Sequence, residues 1–557
     1  MRTCSSFWLV AYNIADLFEH TVDAVPDRVA LIDGEVRLTY RELDERGNRF
    51  GHFLASKGIG KDDHVGIYAQ NSHQWLEAML GCLKVRAVPI NVNYRYVTDE
   101  LSYLIGNAEL VACVFDQEYA GRLAEVADRS PKLTTFVHIE DDSGADTSVL
   151  GSTPFEEAVS GGSAERDFPE RSDDDIYVIY TGGTTGMPKG VMWRHEDIFF
   201  ALGQGIDAVT GERVASEYTR AEQAAASETP LVFCVIPPLM HGAAQIATLS
   251  QWFLGSTLVL IRKFDAEHVW DVFERERVNS VIITGDAMAR PLMDALEAHP
   301  GRWDLSSLVS LSSSAALFSQ SLKDKYLEHF PNLIITDSIG STESGFNGIT
   351  YATKGAKASA GGPTVTPGAD VVILDENLEI IPPGDTRVGR LGRGGNIPLG
   401  YFNDPKKTAE NFVVAADGKR YAVSGDSAQW TEDGQMTMLG RGSVSINTGG
   451  EKVFPEEVEQ ALKAHPAVFD CTVVGVPDER WGQRVAAVVE FAPGESATLE
   501  ELDAHARKFI AGYKVPRELH VVDRIVRSPS GKPDYRWAKA LAEAGGAASQ
   551  GATSGSA

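Results

Sequence analysis

A segment rich in glycine and threonine, residues 180–190, directly follows the apolar run of residues 176–179. Its eleven residues, Tyr-Thr-Gly-Gly-Thr-Thr-Gly-Met-Pro-Lys-Gly, include four glycines, three threonines and one lysine. Glycine lets the backbone curl until successive N–H groups converge on an anion, and the threonine hydroxyls and Lys189 add further donors. A strand that leads into such a loop predicts a phosphate-binding site. The alternative, a flexible surface loop, does not account for so dense a composition.

Two common phosphate-loop patterns do not fit this segment. The Walker pattern needs Gly-Lys-Ser or Gly-Lys-Thr at its end, whereas Pro188 precedes Lys189 and a glycine follows it. A second Gly-Lys pair, at residues 531–532, has Val526 where the first glycine should stand. The dinucleotide fingerprint fails as well, because the richest glycine cluster elsewhere has Ile397 at the position of its last glycine.

Composition excludes several classes of function. The chain has 557 residues, of which 43% are hydrophobic, so it is long enough for several domains with a sizeable core. Its net charge of −27 argues against a nucleic-acid-binding surface, and we expect no nucleic-acid partner. No apolar stretch approaches the ~18 residues of a transmembrane helix, and the apolar residues 7–11 are too few for a signal peptide. A peripheral membrane contact and a homodimer both remain open.

The cysteines point to a reducing compartment. There are five of them, they are scattered, and no C-x-x-C pair occurs. This usage favours neither a disulfide framework nor a zinc site, and it predicts a cytoplasmic protein. Cys234 and Cys471 lie in apolar runs and are predicted to be buried packing residues.

Helix and strand patterns alternate along the first 440 residues. Thr39 and Glu42 form a capping-box pattern, which predicts the start of a helix. A further helix is predicted around residues 75–83. Short strands are predicted at residues 65–68, 87–90, 231–236, 257–261, 281–283 and 333–336. This alternation predicts parallel sheets that are covered by helices on both faces. The polar residues 204–230 are predicted to form a surface excursion with a helical piece.

A smaller module begins after residue 440. Pro455, followed by two glutamates, predicts the first turn of a helix. Residues 470–474 are predicted to form a strand. Residues 542–557 consist mostly of alanine, glycine and serine, a composition that predicts disorder.

Five motifs in a fixed order resemble those of the adenylate-forming enzymes, which include acyl-CoA synthetases, luciferases and peptide-synthetase adenylation domains. The motifs are residues 180–190, Thr342-Glu343, residues 421–426, Gly440-Arg441 and Gly531-Lys532. The resemblance extends from about Ile14 to Tyr535. It implies an α/β fold, with a large N-terminal domain of layered α/β sheets at 1–440, a hinge at 441–443, a small mobile α+β C-terminal domain at 444–541 and a tail at 542–557.

The resemblance also implies a reaction in two steps. A carboxylate attacks the α-phosphorus of ATP to give acyl-AMP and pyrophosphate, and a thiol, usually that of CoA, then displaces AMP. Lys532 would bridge the carboxylate and the α-phosphate, while Thr342 and Lys189 would bind phosphates. Glu343 would hold Mg²⁺, because a hard cation prefers carboxylate and phosphate oxygens.

The implied nucleotide site is spread over the motifs. Asp426 would bind both ribose hydroxyls, because a carboxylate can accept from two O–H donors, and Arg441 would reach the ribose or a phosphate. The residues implied to contact ATP or AMP are Thr181, Gly182, Gly183, Thr184, Thr185, Gly186, Lys189, Ser314, Ala315, Asp337, Ser338, Ile339, Gly340, Ser341, Thr342, Asp426, Arg441 and Lys532.

The other substrates are assigned by the same resemblance. The acyl pocket is implied at Met240, His241, Gly285, Ile339 and Phe346, and CoA is implied at Gly449, Gly450 and Lys452. Three positions depart from the family pattern. Ile339 replaces the usual tyrosine that stacks on adenine, Ser443 replaces the aspartate of the hinge, and Asn447 replaces a later lysine.

The sequence is similar in character to actinobacterial acyl-CoA synthetases of the fatty-acid and steroid side-chain type. Residues 238–245, 284–291 and 337–343 carry this similarity. It implies a medium-chain, long-chain or steroid side-chain carboxylate as the substrate. Three alternatives stay open: an adenylating enzyme for an aromatic or amino acid, a luciferase-like oxygenase, and an inactive nucleotide-binding homologue.

Overall fold

The structure, a computed structural model, describes residues 12–181, 187–202, 204–206, 211–316, 318–355, 363–441, 444–448, 451–478, 481–527 and 532–553. Its helices are α1 (Ile14–Ala24), α2 (Tyr40–Ser56), α3 (His73–Lys84), α4 (Thr98–Asn107), α5 (Ala120–Ala127), α6 (Phe155–Ser160), α7 (His195–Ala201), α8 (Thr219–Ala226), α9 (Gly242–Phe253), α10 (Ala266–Glu276), α11 (Gly285–Ala298), α12 (Gln320–His329), α13 (Pro405–Asn411), α14 (Pro455–Lys463), α15 (Leu499–Ala506) and α16 (Tyr535–Thr553).

Its strands are β1 (Val29–Asp33), β2 (Val36–Thr39), β3 (His64–Tyr68), β4 (Val88–Asn91), β5 (Ala112–Asp116), β6 (Thr135–Ile139), β7 (Thr153–Pro154), β8 (Ile176–Thr181), β9 (Lys189–Arg194), β10 (Val232–Val235), β11 (Thr257–Leu260), β12 (Ser280–Ile283), β13 (Ser310–Ser314), β14 (Ile334–Ser341), β15 (Gly345–Tyr351), β16 (Thr364–Pro367), β17 (Val371–Leu374), β18 (Ile380–Ile381), β19 (Gly389–Arg393), β20 (Gly400–Tyr401), β21 (Phe412–Val414), β22 (Arg420–Trp430), β23 (Met436–Arg441), β24 (Ile446–Thr448), β25 (Glu451–Val453), β26 (Val468–Asp478), β27 (Gly482–Phe491) and β28 (Glu518–Val521).

The chain divides into two compact units. The first unit comprises Met1–Ile283, His299–Ser310 and Asn396–Glu410. The second unit comprises Thr284–Ala298, Leu311–Gly395 and Asn411–Ala557. The second unit therefore contains both the last part of the predicted N-terminal domain and the predicted C-terminal module.

A mostly parallel sheet organises the first unit. Its strand order is β20-β9-β8-β4-β3-β5-β6-β7, and the strands from β8 to β7 are parallel along this order. Strands β9 and β20 are antiparallel additions at one end. The predicted strands at residues 65–68 and 87–90 are confirmed as β3 and β4. Because parallel strands end at the same edge, the carboxyl ends of β3, β4 and β8 lie together.

A second group of strands in the first unit follows the order β12-β10-β11-β1-β2. Strands β1, β10, β11 and β12 are parallel, as the alternation of helices and strands predicts. The capping box at the start of α2 is also confirmed. Thr39 Oγ1 accepts the Glu42 N–H at 3.2 Å, and the Glu42 carboxylate accepts the Thr39 N–H at 2.8 Å.

The sheets of the second unit are largely antiparallel. One follows the order β18-β17-β19-β22-β23-β16-β15-β14-β13, with β21 paired to β22. Short hairpins join several of these strands, and two strands joined by a tight hairpin must run antiparallel. The prediction of parallel sheets therefore holds for the first unit and does not extend to this one.

The C-terminal module has its own sheet within the second unit, in the order β25-β24-β27-β26, with β28 paired to β27. Helix α14 begins at Pro455, as predicted, and the Glu457 carboxylate accepts the Phe454 N–H at 3.2 Å. Helix α16 continues to Thr553 and so enters the segment for which composition predicts disorder. Alanine, which dominates this segment, has the highest intrinsic helix propensity.

Burial and hydropathy agree with the sequence-based expectations. Cys234 and Cys471 are both buried, like Cys82 and Cys113, and all four are free thiols. Within the described residues, no helix combines the length and the apolar character that a membrane crossing requires. The insert at residues 204–230 contains α8, whose Arg220 and Ala224 are buried.

Candidate active site

The predicted phosphate loop joins two antiparallel strands of the first unit. Strand β8 ends at Thr181, strand β9 begins at Lys189, and these two residues are direct cross-strand partners. A β-carbon at Gly190 would lie 2.6 Å from a ring carbon of Tyr180, so this position requires glycine. A strand–loop–strand arrangement agrees with the failure of the Walker pattern, which opens a helix. The predicted loop residues Gly182, Gly183, Thr184, Thr185 and Gly186 lie outside the described residues.

Asn91, which was not predicted from the sequence, ties this hairpin to residues 237–241. These residues are called the acyl segment here, because Met240 and His241 are predicted to line the acyl pocket. It is buried at the carboxyl end of β4. Its Oδ1 accepts the Tyr180 N–H at 2.8 Å, and its Nδ2 donates to the carbonyls of Tyr180 at 2.9 Å and Met240 at 2.6 Å. The residue before Thr181 and the residue before His241 are therefore held by one amide group.

Asn71 holds the same acyl segment from the neighbouring strand end. Its Oδ1 accepts the Leu239 N–H at 2.7 Å, and its Nδ2 donates to the carbonyls of Pro237 at 3.3 Å and Ile261 at 3.0 Å. His241 follows this fixed segment and stands at the N-cap position of α9, half-buried. One sequence signal could have indicated both asparagines. Asn71 comes shortly after the predicted strand at residues 65–68, and Asn91 directly follows the predicted strand at residues 87–90.

Replacing Asn91 with alanine tests whether this residue holds the phosphate hairpin and the acyl segment together. The change leaves three buried backbone groups without their partner and lets the phosphate hairpin and residue 240 shift independently. We expect kcat/KM for ATP-dependent product formation to fall by roughly ten- to a hundredfold, as for other misplaced active-site groups. Steady-state kinetics with ATP varied at saturating acid measure the effect.

Asn279→Ala provides the matched control. Asn279 Oδ1 also accepts a strand N–H, that of Val232 at 2.9 Å, but at the amino end of β10. We expect this variant to lose a similar hydrogen bond while its kinetics stay unchanged. Equal losses of activity in both variants would show that Asn91 contributes only to folding.

The predicted motif Thr342-Glu343 forms the turn between β14 and β15 in the second unit. The Ser344 N–H donates to Ser341 Oγ at 3.1 Å, and Asn347 Nδ2 donates to Ser344 Oγ at 2.8 Å. These contacts brace the turn, and neither Ser344 nor Asn347 was predicted from the sequence. Thr342 and Glu343 are half-buried, so the carboxylate stands on a braced turn rather than on a free surface loop.

Strand β14, which leads into this turn, carries five further predicted nucleotide contacts: Asp337, Ser338, Ile339, Gly340 and Ser341. Asp337 Oδ2 lies 2.5 Å from Lys323 Nζ of α12. Burial raises the pKa of Asp337, and the neighbouring Lys323 ammonium partly opposes that rise. Ile339 is partly buried and packs against the apolar cluster that includes Val365. The isoleucine that replaces the usual tyrosine therefore also contributes to core packing.

Two further predicted nucleotide contacts, Ser314 and Ala315, lie in the loop that begins at the end of β13. Ser313 is buried, and its Oγ accepts the Gly285 N–H at 3.2 Å. Ser314 ends the strand, and Ala315 follows with a left-handed φ of 69°. Asp286 Oδ1 accepts the Ser319 N–H at 2.8 Å, which holds the other end of the loop. The segment that begins at Gly285, predicted for the acyl pocket, thus also supports the nucleotide loop.

The predicted ribose contacts lie on an antiparallel pair of strands. Asp426 on β22 is the cross-strand partner of Arg441 on β23. Asp426 is half-exposed. The side chains of Arg441 and Lys452 lie outside the described part of the chain, as do Ser443, Gly449 and Gly450 altogether.

The remaining predicted site residues also have defined places. Lys532 is half-buried and directly precedes Pro533, which bridges back to Arg527. Phe346 pairs with Gly340 on the neighbouring strand, and its carbonyl accepts a hydrogen bond from Arg393. Met240 and His241 belong to the first unit, whereas Gly285, Ile339 and Phe346 belong to the second.

Two family models together cover most of the chain. The model described as AMP-binding enzyme matches residues 18–402, and the model described as AMP-binding enzyme C-terminal domain matches residues 457–532. The chain belongs to the AMP-binding enzyme family. The superfamily that the five motifs indicate is thereby confirmed, and with it the class of fold.

Two relatives in the AMP-binding family are similar over nearly their whole length. The medium/long-chain-fatty-acid–CoA/3-oxocholest-4-en-26-oate–CoA ligase of Mycolicibacterium smegmatis is 53% identical over 537 residues, which cover 96% of this chain and 97% of that protein. The 3-oxocholest-4-en-26-oate–CoA ligase of Rhodococcus rhodochrous is 51% identical over 535 residues, covering 95% and 96% of the two chains.

Among solved structures, the anthranilate CoA ligase AuaEII in complex with anthranoyl-AMP is similar to this AMP-binding enzyme with a TM-score of 0.81. The alignment covers 97% of this chain and 98% of that chain at 21% identity. At this level of identity the likeness concerns the fold, which is that of the adenylate-forming enzymes.

Proposed function

We propose that this AMP-binding enzyme is an ATP-dependent acyl-CoA ligase that activates a medium-chain, long-chain or steroid side-chain carboxylate as acyl-AMP. It then forms the acyl-CoA thioester and releases AMP, with pyrophosphate as the product of the first step. The names of the two relatives above supply the substrate class, and the five ordered motifs supply the route through acyl-AMP.

The observation that carries the proposal is the set of hydrogen bonds that Asn91 makes at the carboxyl edge of the parallel sheet. Asn91 joins the stem of the phosphate hairpin at Tyr180 to the acyl segment at Met240 through three hydrogen bonds. Adenylation of an acid requires the phosphates of ATP and the carboxylate to be held at fixed relative positions. A shared anchor for the two segments fits that requirement.

In the first step the protein must reduce the repulsion between a carboxylate and the triphosphate. Lys189 and Thr181, with the loop between them, bind the β- and γ-phosphates, and Thr342 binds a phosphate. Asp426 and Arg441 hold the ribose from neighbouring strands. Lys532 places its ammonium between the carboxylate and the α-phosphate, which stabilises the charge that develops there.

Glu343 fits a magnesium site by its chemistry. Its carboxylate oxygens are the hard ligands that Mg²⁺ prefers, and the turn that carries it is braced by Ser341 and Ser344. When bound together with the phosphates of ATP, Mg²⁺ would neutralise part of their charge.

In the second step the thiol of CoA attacks the acyl carbon and AMP leaves. In this proposal the CoA arm is bound by Gly449, Gly450 and Lys452. Ser443 serves as the hinge about which the C-terminal module moves between the two steps. The residues that the resemblance implies for binding the acyl chain are Met240, His241, Gly285, Ile339 and Phe346. We further propose that the enzyme works in the cytoplasm, where peripheral membrane contact would give access to apolar acids and a homodimer is compatible with the sequence.

A pyrophosphate-release screen tests the proposed function. The purified enzyme is given ATP and Mg²⁺ with octanoate, palmitate, 3-oxocholest-4-en-26-oate, benzoate and a set of amino acids, each with and without CoA. We expect release with the fatty and steroid acids and formation of the matching acyl-CoA only when CoA is present. Release with benzoate or an amino acid alone would assign the enzyme to another acid class, and ATP binding without release would indicate an inactive homologue. Light emission with a luciferin would indicate the oxygenase.

A further inference from the structure

Lys532 lies in a loop whose two ends contact each other. Residues 526–527 form the first leg of this loop, and residues 533–534 form the second leg. Arg527 and Pro533 form an antiparallel bridge, and the Asp534 N–H donates to the Val526 carbonyl at 3.3 Å. Lys532 stands one residue before this closure. The direction in which its ammonium extends therefore depends on how the two legs are fixed.

A buried ion cluster fixes the first leg. Arg527 donates to both carboxylate oxygens of Asp470, from Nε at 2.7 Å and from Nη2 at 2.6 Å. Lys463 Nζ lies 2.9 Å from the same carboxylate. The side chains of Arg527, Asp470 and Lys463 are only 16%, 14% and 3% exposed. Because a bidentate pair constrains the plane of the guanidinium as well as its position, Asp470 sets the course of the leg.

The second leg is held to the same part of the module. Asp534 Oδ1 accepts the N–H groups of Arg536 at 3.1 Å and Trp537 at 3.0 Å, and so caps α16. Burial, together with the nearby Glu459 carboxylate, raises the pKa of Tyr535, the first residue of α16. Glu459 and Lys463 lie on α14, and Asp470 lies on β26. Helix α14 and strand β26 thus form a common base for both legs of the loop.

We propose that Asp470 is a positioning residue for Lys532, which it aims by fixing Arg527 at the base of the loop. The inference rests on the proposed function, in which Lys532 serves the adenylation step. Asp470 does not touch substrate in this account. Its loss leaves two buried cations, Arg527 and Lys463, facing each other, so the first leg moves and the Lys532 ammonium leaves its place.

The test separates the two half-reactions in the full-length protein. Asp470→Asn keeps the shape of the side chain and removes its charge, and Arg527→Lys keeps the charge and removes the fork of donors. We expect each to lower pyrophosphate release at saturating ATP and acid by at least about tenfold, the scale of a misplaced catalytic group. Thioester formation from supplied acyl-AMP and CoA should stay within about twofold, since that step does not use Lys532.

Asp503→Asn is the matched control. Asp503 also accepts a bidentate pair, from Arg507 at 2.5 and 3.0 Å, but this pair lies on an exposed face of the same module. We expect it to leave both half-reactions unchanged. Amide hydrogen exchange supplies a readout apart from activity: in Asp470→Asn, exchange should increase in peptides that span 526–533 and not in those from α15.

The outcomes distinguish the inference from the proposed function. If Lys532→Ala abolishes pyrophosphate release but Asp470→Asn does not reduce it, the inference alone is wrong. If Lys532→Ala leaves release intact, the assigned role of Lys532 is wrong, and the role of Asp470 falls with it. If Asp470→Asn lowers both half-reactions equally and exchange rises throughout the module, Asp470 has only a structural role.

Discussion

Lys532→Ala is expected to stop acyl-adenylate formation while leaving thioester formation from supplied acyl-AMP intact. The carboxylate and the α-phosphate are both anionic, and removal of the ammonium between them takes away stabilisation that exists only in the first transition state. Loss of one preorganised donor of this kind costs about 10²–10³ in rate. Single-turnover pyrophosphate release measures the first step, and acyl-CoA formation from synthetic acyl-AMP measures the second.

Lys539→Ala is the control for this prediction. Lys539 lies on α16, shortly after Lys532, and is 47% exposed. We expect both half-reactions to proceed at the rate of the unmodified enzyme in this variant. An equal loss of both half-reactions in Lys532→Ala would contradict the account, because it would mean that Lys532 supports the module as a whole and not the adenylation step.

Lys84→Met is expected to have the largest effect on stability. Lys84 is completely buried, and its Nζ lies 2.7 Å from Glu19 and 2.6 Å from Asp44. Burial alone would raise the pKa of Glu19, but the charges of Lys84 and Arg171 outweigh burial and hold that pKa below its usual value. The same balance, with Arg166 as the second cation, lowers the pKa of Asp44. Both carboxylates are therefore charged in the folded protein.

Removal of the lysine leaves these two buried carboxylates with only part of their compensation. Breaking a buried pair in this way costs about 3–5 kcal/mol. The matched control is Lys132→Met, since Lys132 is 2.6 Å from Glu109 but 62% exposed, and an exposed pair contributes about 0–1 kcal/mol. Urea unfolding followed by tryptophan fluorescence compares the two midpoints. Equal midpoints would contradict the assigned role of Lys84.

The same pairs predict a dependence on pH. A carboxylate whose pKa is lower in the folded than in the unfolded state stabilises the protein above its unfolded pKa. That contribution is lost as the pH falls through the folded pKa. The unmodified protein should therefore lose stability on acidification as Glu19 and Asp44 take up protons.

Local signals in the sequence predicted much of the fold. The capping box at Thr39, the proline at the start of α14 and the apolar runs of β3, β4, β10 and β11 each depend on residues that are close in the chain. The resemblance added the superfamily and the order of the motifs. The antiparallel sheets of the second unit were not predicted, because an apolar run of a few residues does not indicate the direction of its partner strand.

The supporting residues of the candidate site could not be predicted in the same way. Asn91 and Met240 are 149 positions apart, and Arg527 and Asp470 are 57 positions apart. An isolated asparagine or aspartate in a sequence is most often a turn or surface residue. Only the fold brings these side chains to the backbone groups and charges that they hold.

The most direct test of the central claim follows oxygen atoms from the acid to the products. The enzyme is supplied with ATP, CoA and palmitate whose carboxylate carries ¹⁸O, and the AMP is analysed by mass spectrometry. Attack of the carboxylate on the α-phosphorus, followed by displacement of AMP by the thiol, transfers one carboxylate oxygen to AMP. We predict that the AMP released with palmitoyl-CoA carries one ¹⁸O. Unlabelled AMP, or ADP in its place, would contradict a route through acyl-AMP.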